Sequence, residues 1–582
     1  MGTAAASTNL QHGFPAPGPQ SPTGQKVMDS VFFLSASEWK NAREEGAYDL
    51  VIVGSGFAGM AVAVRALERD PNCRILMLER GAYFLPEHFQ NLPTPFVNTL
   101  GGFAETFPWT LSSTTALGLA GGYIRWQHGM VPFFGGRSTV WSAWCPRPTD
   151  DEMNGWPESM KDAARSNFEA AETLLHVQDA DQIDARRGEA DLARIAQTRP
   201  VYGALQRVVQ DLLENAPNEV PSVYRTQAAP LASDAQSVDG IDFQKFATPA
   251  EILELQVSQA QKAAVGKGAP LHLKAHCIVE RMLQQNGRVT GLETSEGVVA
   301  LGNAKLVLAS GVLPPTTLVQ NAFPDSTAGE RFSAHFITSI TARVPRDNLD
   351  PDGTFSDLQL GACYVAGTAG NFEQQFHIQL SCLSDRFPVK NAGTALRYMP
   401  DVVATASMAQ LLSSEDHVVF VCAVLGELDF RNDDNGFRHN GADDDPTTNS
   451  LLTVVETDRD GETWDAMDDA TFGVLERVLS PNGPDRVEYW HGDQTVGTWT
   501  SERPDKDERR VDGMVHESST LHMGEGDDAP VDLDYKLKGS QNVFVAGASL
   551  WPQGGSWNPT MTMVALAMDL ADHLVPEVCD GS

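Results

Sequence analysis

The sequence predicts an α/β chain, α+β overall. A dinucleotide-binding domain assembled from discontinuous segments is joined to a second domain with helices and a mostly antiparallel sheet. Three observations carry the prediction. Residues 48–80 read as strand, glycine turn, helix, strand and acid. The apolar run Leu306 to Ala309 enters Ser310-Gly311, which reads as a return to that first unit. From about 331 to 510, alternating strand candidates such as Phe336 to Ala342 and His417 to Val424 are separated by acidic, Asn- and Gly-rich loops.

In the opening unit, the apolar run Leu50 to Val53 enters Gly54-Ser55-Gly56-Phe57-Ala58-Gly59, and a segment rich in Ala, Val and Leu follows. A second run, Ile75 to Leu78, ends in Glu79-Arg80. The glycines have separate jobs: Gly54 turns sharply, Gly56 lets backbone approach a pyrophosphate, and Gly59 lets helix and strand pack closely. The helix N-terminus points unpaired N–H groups at the phosphates. Glu79, twenty residues beyond Gly59, is placed to accept ribose hydroxyls. This is a Rossmann-like fingerprint, although GxGxxG alone also describes a tight loop. It does not choose between FAD and NAD.

At 582 residues the chain has room for two connected domains. No apolar run approaches a membrane span. The first 24 residues lack the basic start and apolar core of a secretory signal and read as a flexible arm. The ending Cys579-Asp-Gly-Ser582 has no aliphatic pair, so it is no prenylation box. Seven scattered cysteines show no CxxC pairing, which fits a reducing, cytoplasmic location. A formal charge of −35 argues against nucleic acid or an anionic membrane as partner.

Residues 81–134 are aromatic-rich, with Trp109, Trp126 and Phe133-Phe134. Gly135-Gly136-Arg137-Ser138-Thr139-Val140-Trp141 follows, whose glycines and small hydroxyl residues suit backbone passing close to a flat ligand or, equally, a packed turn. Trp156-Pro157 starts a helical stretch that extends to about Glu214. Short strand signals return at Leu271 to Leu273, Ile278 to Leu283 (including Val279) and Val289 to Glu293. Glu456 to Gly461 imitates a calcium loop with an incomplete ligand set, so a solvated turn is expected. The expected division is an arm at 1–46, dinucleotide-domain segments at 47–156, 246–330 and 511–582, a helical part of the substrate domain at 157–245, and its sheet at 331–510.

The C-terminal segment carries candidate chemistry: His516-Glu-Ser-Ser-Thr-Leu-His522-Met523, then Gly547-Ala548-Ser549, and Trp557-Asn558-Pro559-Thr560. Asn558 before Pro559 reads as a helix N-cap followed by proline at the first helical position. Such a helix would aim its positive end at whatever lies before it. His516 and His522 are six apart, which does not put them on one helix face, and no Cys or carboxylate cluster completes a zinc site.

Together, the opening unit, GGRSTVW and the closing HESSTLHMG, NVFVAGASLWP and NPTMT runs resemble the glucose–methanol–choline oxidoreductases. STVW and the Asn-Pro-Thr ending look most like the pyranose oxidase branch. The resemblance covers roughly 48–160, 270–320 and 511–575. It implies an FAD-binding site with Gly54, Ser55, Gly56, Phe57, Ala58, Gly59, Glu79, Arg80, Gly136, Arg137, Ser138, Thr139, Val140, Trp141, Val279, Ser310, Gly311, Gly547, Ala548, Asn558, Pro559 and Thr560. It also implies a catalytic pairing of His516, as base, with Asn558. The implied partners are a small-molecule alcohol, sugar-like or a secondary-metabolite hydroxyl, and oxygen or another electron acceptor; a homo-oligomer is a further expectation. Three departures stand out: Ser519 where a glycine is usual, His522 where an arginine is usual, and Val140 where relatives with covalent flavin carry histidine. The first two make a sugar substrate doubtful, and the third implies noncovalent FAD. Elimination or cyclisation on the same fold, and a non-catalytic FAD-binding scaffold, are the alternatives. Large aromatics at Trp551 and Trp557 are expected either to wall the substrate or to pack the core.

Overall fold

The computed structural model describes residues 10–11, 14–15, 28, 30–45, 47–83, 85, 87–91, 116–119, 131–183, 201–234, 244–355, 357–400, 407–439, 450–492 and 496–577. Most of the expected arm, Trp109, Trp126 and Cys579 lie outside the described residues.

Five parallel strands form one sheet in the order Leu271–Lys274, Ile75–Leu78, Leu50–Val53, Lys305–Leu308, Val543–Val545. Leu50–Val53 and Ile75–Leu78 are buried at every position, as strands covered on both faces must be. By position in the chain the order is 3-2-1-4-5, so the winding reverses beside Leu50–Val53. Open parallel sheets bind ligands outside the carboxyl ends of the strands at such a reversal. The helix Phe57–Arg69 follows the first strand and packs against the final helix, Thr560–Leu574, which also packs against Glu158–Leu174. Gly59 lets the helix Phe57–Arg69 lie close on the strand and turn before it, because a Cβ there would lie 2.1 Å from the Gly54 carbonyl oxygen.

The second sheet has eight antiparallel strands. Seven run in the order Gly497–Thr500, Glu488–Gly492, Ser333–Pro345, His417–Glu427, Gln375–Asp385, Leu358–Thr368, Val223–Ala228. The eighth, Arg510–Ser518, pairs with Ser333–Pro345. Alternation gives the sheet two faces. Phe336, Phe376, Ile378 and Val424 turn to a core closed by the helix Asp458–Gly473, where Phe336 stacks on Trp464 at 4.6 Å. His335, Ile337, Ala423 and Leu425 alternate with them and belong to the opposite face.

Three elements differ from expectation. The boundary placed at 511 falls within a strand of the antiparallel sheet, so His516 stands on that sheet while Asn558 precedes the last helix beside the parallel one. The helical stretch after Trp156 divides: Glu158–Leu174 packs on the final helix, whereas Ala204–Leu213 packs on Leu358–Thr368. The calcium-loop imitation is a helix start rather than a solvated turn. Thr457 caps the helix Asp458–Gly473 through a reciprocal pair with Asp460, whose burial pushes its pKa up to about 6.

Gly59→Ala is expected to lower stability by about 1–3 kcal/mol, the cost of overpacking against backbone that cannot yield. Chemical denaturation of purified protein would read this, and an unchanged midpoint would refute the packing role.

Candidate active site

A cavity opens at the carboxyl ends of the parallel strands, bounded on its far side by the antiparallel sheet. Its volume is about 310 Å³, within the span of ordinary ligand clefts, roughly 300–1,000 Å³.

The turn Gly54 to Ala58 forms one wall. Gly54 has φ +108°, and a methyl built on Gly56 would meet nothing within 4 Å, so its backbone faces open space. No side chain caps the following helix, which leaves its first N–H groups for a ligand. Gly311 (φ +87°) and Gly547 (φ +118°) continue this wall with Ala548 and Ser310, whose buried hydroxyl has no protein partner. Val279 and Arg80 line the same space.

Glu79 is buried, and its carboxylate is already engaged. One oxygen accepts from the Ser55 N–H (3.1 Å) and hydroxyl (2.6 Å), the other from the Gly81 N–H (2.7 Å). Burial raises its pKa, against the pull of those donors. Ser55 Oγ in turn accepts from the Gly135 N–H (2.8 Å), so Glu79 couples the glycine turn to the Gly135–Trp141 loop.

In that loop, Gly136, Arg137, Val140 and Trp141 line the cavity. Ser138, Thr139 and Gly59 are not among its lining residues. The Ser138 hydroxyl donates to the Gly135 carbonyl (2.7 Å) and meets Thr248 at 3.0 Å. The Thr139 hydroxyl donates to the Gly136 carbonyl (2.9 Å). Both hydroxyls brace the turn. Arg137 forms a bidentate pair with Glu517 (3.0 and 3.2 Å), tying the loop to the strand that bears His516.

His516 and Asn558 both line this cavity, although they come from different layers. Bulges between Ser333–Pro345 and Arg510–Ser518 re-aim the strand, and His516 adopts φ +61°. For a non-glycine residue that costs about 1–3 kcal/mol, which surrounding contacts must offset. The expected cap role of Asn558 does not appear. Pro559 occupies the N-cap position and no side chain caps the helix. Asn558 is instead buried with its Oδ1 unpaired, beside Pro559 and Thr560 at the positive end of a 15-residue helix.

The loop between Trp551 and Asn558 is gripped at Gly555. Its N–H donates to Glu427 (2.8 Å) and its carbonyl accepts from His335 Nε2 (2.7 Å). His335 and Glu427 are direct cross-strand neighbours. Gly555 has φ +63°, and a Cβ there would fall 1.9 Å from the Trp557 ring. Trp551 and Trp557 stack on each other at 5.4 Å and pack at a tilt against Trp156, buried and away from the cavity wall. They are core, and they brace the loop.

The antiparallel sheet supplies Ile337, Ala423, Leu425 and Val515, an apolar wall interrupted by Gln379. The Gln379 amide meets His377 Nε2 at 3.1 Å. Sequence reasoning missed His335, Gln379 and Glu427, because a single polar residue on a strand carries no motif. Their only signal was a period-two position shared with buried neighbours. Among the described residues no helix is long and apolar enough to cross a membrane, and no cluster of His, Cys, Asp or Glu could hold a metal ion.

A family model described as GMC oxidoreductase matches residues 371–567, a span that includes His516 and Asn558. No curated protein matches the chain. Among solved structures, a pyridoxine 4-oxidase from Mesorbium loti aligns at 17% identity with a TM-score of 0.49, covering 90% of this chain and 98% of that chain.

Burial pushes the Glu427 carboxyl up to about 8 from an ordinary 4.5. The folded state therefore holds a proton that the unfolded state releases, and stability falls as pH rises between those values. In Glu427→Gln that decline should flatten. Urea unfolding at pH 5 and pH 8.5 measures it, and an identical pH difference in both proteins would contradict the assignment.

Proposed function

We propose that this protein is an FAD-dependent oxidoreductase that converts an alcohol to a carbonyl compound, with His516 as base and Asn558 as the orienting group. The observation that carries the reading is that His516 and Asn558, whose buried Oδ1 has no partner, line one cavity with the Gly54–Ala58 turn. The match to a GMC oxidoreductase model over that segment supports it. The cavity fits the cofactor: the uncapped helix end at Gly56 would take the pyrophosphate, the buried Ser310 hydroxyl has capacity for a polar group, and Pro559–Thr560 present a second helix N-terminus. When bound, FAD supplies a two-electron hydride acceptor that oxygen or another acceptor then re-oxidises.

The protein's residues do the rest. An alcohol releases hydride readily only as its hydroxyl proton leaves, so a base within hydrogen-bond reach must take that proton, and His516 is that base. The Asn558 amide N–H holds the substrate oxygen as negative charge develops, and the helix end before it adds a favourable field. The apolar wall excludes water. It also favours an aryl or aliphatic alcohol with one further hydrogen-bonding group for Gln379. A polyol would leave hydroxyls buried without partners against Ile337, Ala423, Leu425 and Val515. The STVW and Asn-Pro-Thr likeness to pyranose oxidases therefore concerns the cofactor side rather than a sugar substrate. Val140 faces the cavity where tethered relatives have histidine, and valine offers no lone pair, so the FAD is held noncovalently.

Anaerobic mixing with a panel of alcohols should bleach the flavin with aryl or aliphatic members and not with hexoses. His516→Ala should slow the productive reduction by about 10²–10⁴-fold while retaining the colour. Parental rates in that variant would sink the base assignment, and rapid bleaching by hexoses would sink the substrate class.

Acid precipitation of the yellow protein should release all colour to the supernatant as free FAD. Colour in the pellet would mean a covalent link through another side chain.

A further inference from the structure

His335 touches both His516 and the loop that carries Asn558. Its Nδ1 lies 2.9 Å from Nδ1 of His516, with the rings nearly perpendicular at 85°. Its Nε2 lies 2.7 Å from the Gly555 carbonyl, three residues before Asn558. We infer that His335 is a positioning residue that fixes the imidazole proton of His516 on Nδ1, leaving Nε2 as the nitrogen that accepts the substrate proton.

The tautomers follow from the donors and acceptors around the rings. A carbonyl only accepts, so His335 Nε2 carries a hydrogen. The ring is fully buried, and burial lowers its pKa to about 4, so near neutrality it is uncharged and its Nδ1 has a lone pair. Two nitrogens 2.9 Å apart cannot both be acceptors, and the hydrogen between them must belong to His516 Nδ1. In neutral His516 the basic lone pair is then on Nε2. When Nε2 gains a proton, Nδ1–H still donates to His335, and the imidazolium keeps its orientation.

The frame around this pair is rigid. Gly555 cannot move easily, because Glu427 holds its N–H and Trp557 leaves no room for another residue. Among the described residues, these charged and titratable groups face the pair. Glu517 acts electrostatically on His335 but is paired with Arg137, Glu427 lies across the Gly555 peptide, and the His377 ring stands 6.2 Å from that of His335.

The inference rests on His516 being the base, and the test separates the two. In holoprotein carrying ring-¹⁵N histidine, long-range ¹H–¹⁵N NMR near neutral pH should show His516 as the Nδ1–H form and His335 as the Nε2–H form. Signals are assigned by their loss in His516→Ala and His335→Ala. His335→Asn keeps an acceptor oxygen near the old Nδ1 and should preserve the His516 tautomer. His335→Gln can still reach Gly555 but removes that acceptor, and should shift His516 toward the Nε2–H form. With whichever alcohol bleaches the flavin, His335→Gln should slow reduction about 10- to 100-fold and displace its pH profile, while His335→Asn recovers most of the rate. An Nε2–H His516 in the parent protein, or an unchanged tautomer in His335→Gln, overturns the inference. A parental reduction rate in His516→Ala overturns only the base assignment, because the tautomers are read without turnover.

Discussion

The Gly555 peptide, held between His335 and Glu427, is the constraint on which the site depends. The two proposed catalytic groups come from different layers, His516 from an edge of the antiparallel sheet and Asn558 from the approach to the final helix. Nothing in either layer alone sets their separation. His335 and Glu427 stand opposite each other on neighbouring strands and hold Gly555 through the two peptide groups that flank it, so the loop bearing Asn558 takes its position from the sheet bearing His516. The tryptophans at 156, 551 and 557 fill the space behind that loop, so the clamp closes on a packed body.

Much of the parallel domain was legible in the sequence, because its parts are local and chemically unambiguous. The glycine turn, the helix after it and the acid at 79 lie within one continuous stretch, and each residue type has a steric or electrostatic reason to be there. The strands at 271–274 and 305–308 were visible as apolar runs, and the second read as a return to the first domain, but their places in the sheet were not legible. The antiparallel sheet was legible as alternation but not as order, since its neighbours are separated by long loops and register is a long-range property.

The site was legible only where a motif carried it. His516 and Asn558 stood out through the closing runs, but the partners of each did not. His335 sits one residue before the strand expected from Phe336, and alternation assigns it a face without a role. Asn558 was read as a cap because Asn-Pro is a good helix start locally. Tertiary structure overrode that preference by moving the cap position to Pro559, leaving the amide free for the cavity. Glu79 shows the reverse. Its spacing suggested a ligand contact, while its hydrogen bonds first serve to join the glycine turn to the loop at 135.

The acidity of the chain does not extend into the cavity. A formal charge of −35 would suggest a negative interior, yet Glu79, Glu517 and Glu427 beside the site are each quieted by a different device. Glu79 is surrounded by N–H and O–H donors, Glu517 faces the Arg137 guanidinium, and Glu427 holds its proton up to about pH 8. Behind His516 stands a neutral imidazole rather than a carboxylate. A carboxylate there would favour the imidazolium and hold the base protonated, whereas a neutral acceptor orients the ring without charging it. With these described carboxylates so engaged, the field of the helix end at Thr560 and of the Asn558 amide remains available for charge that develops on a substrate.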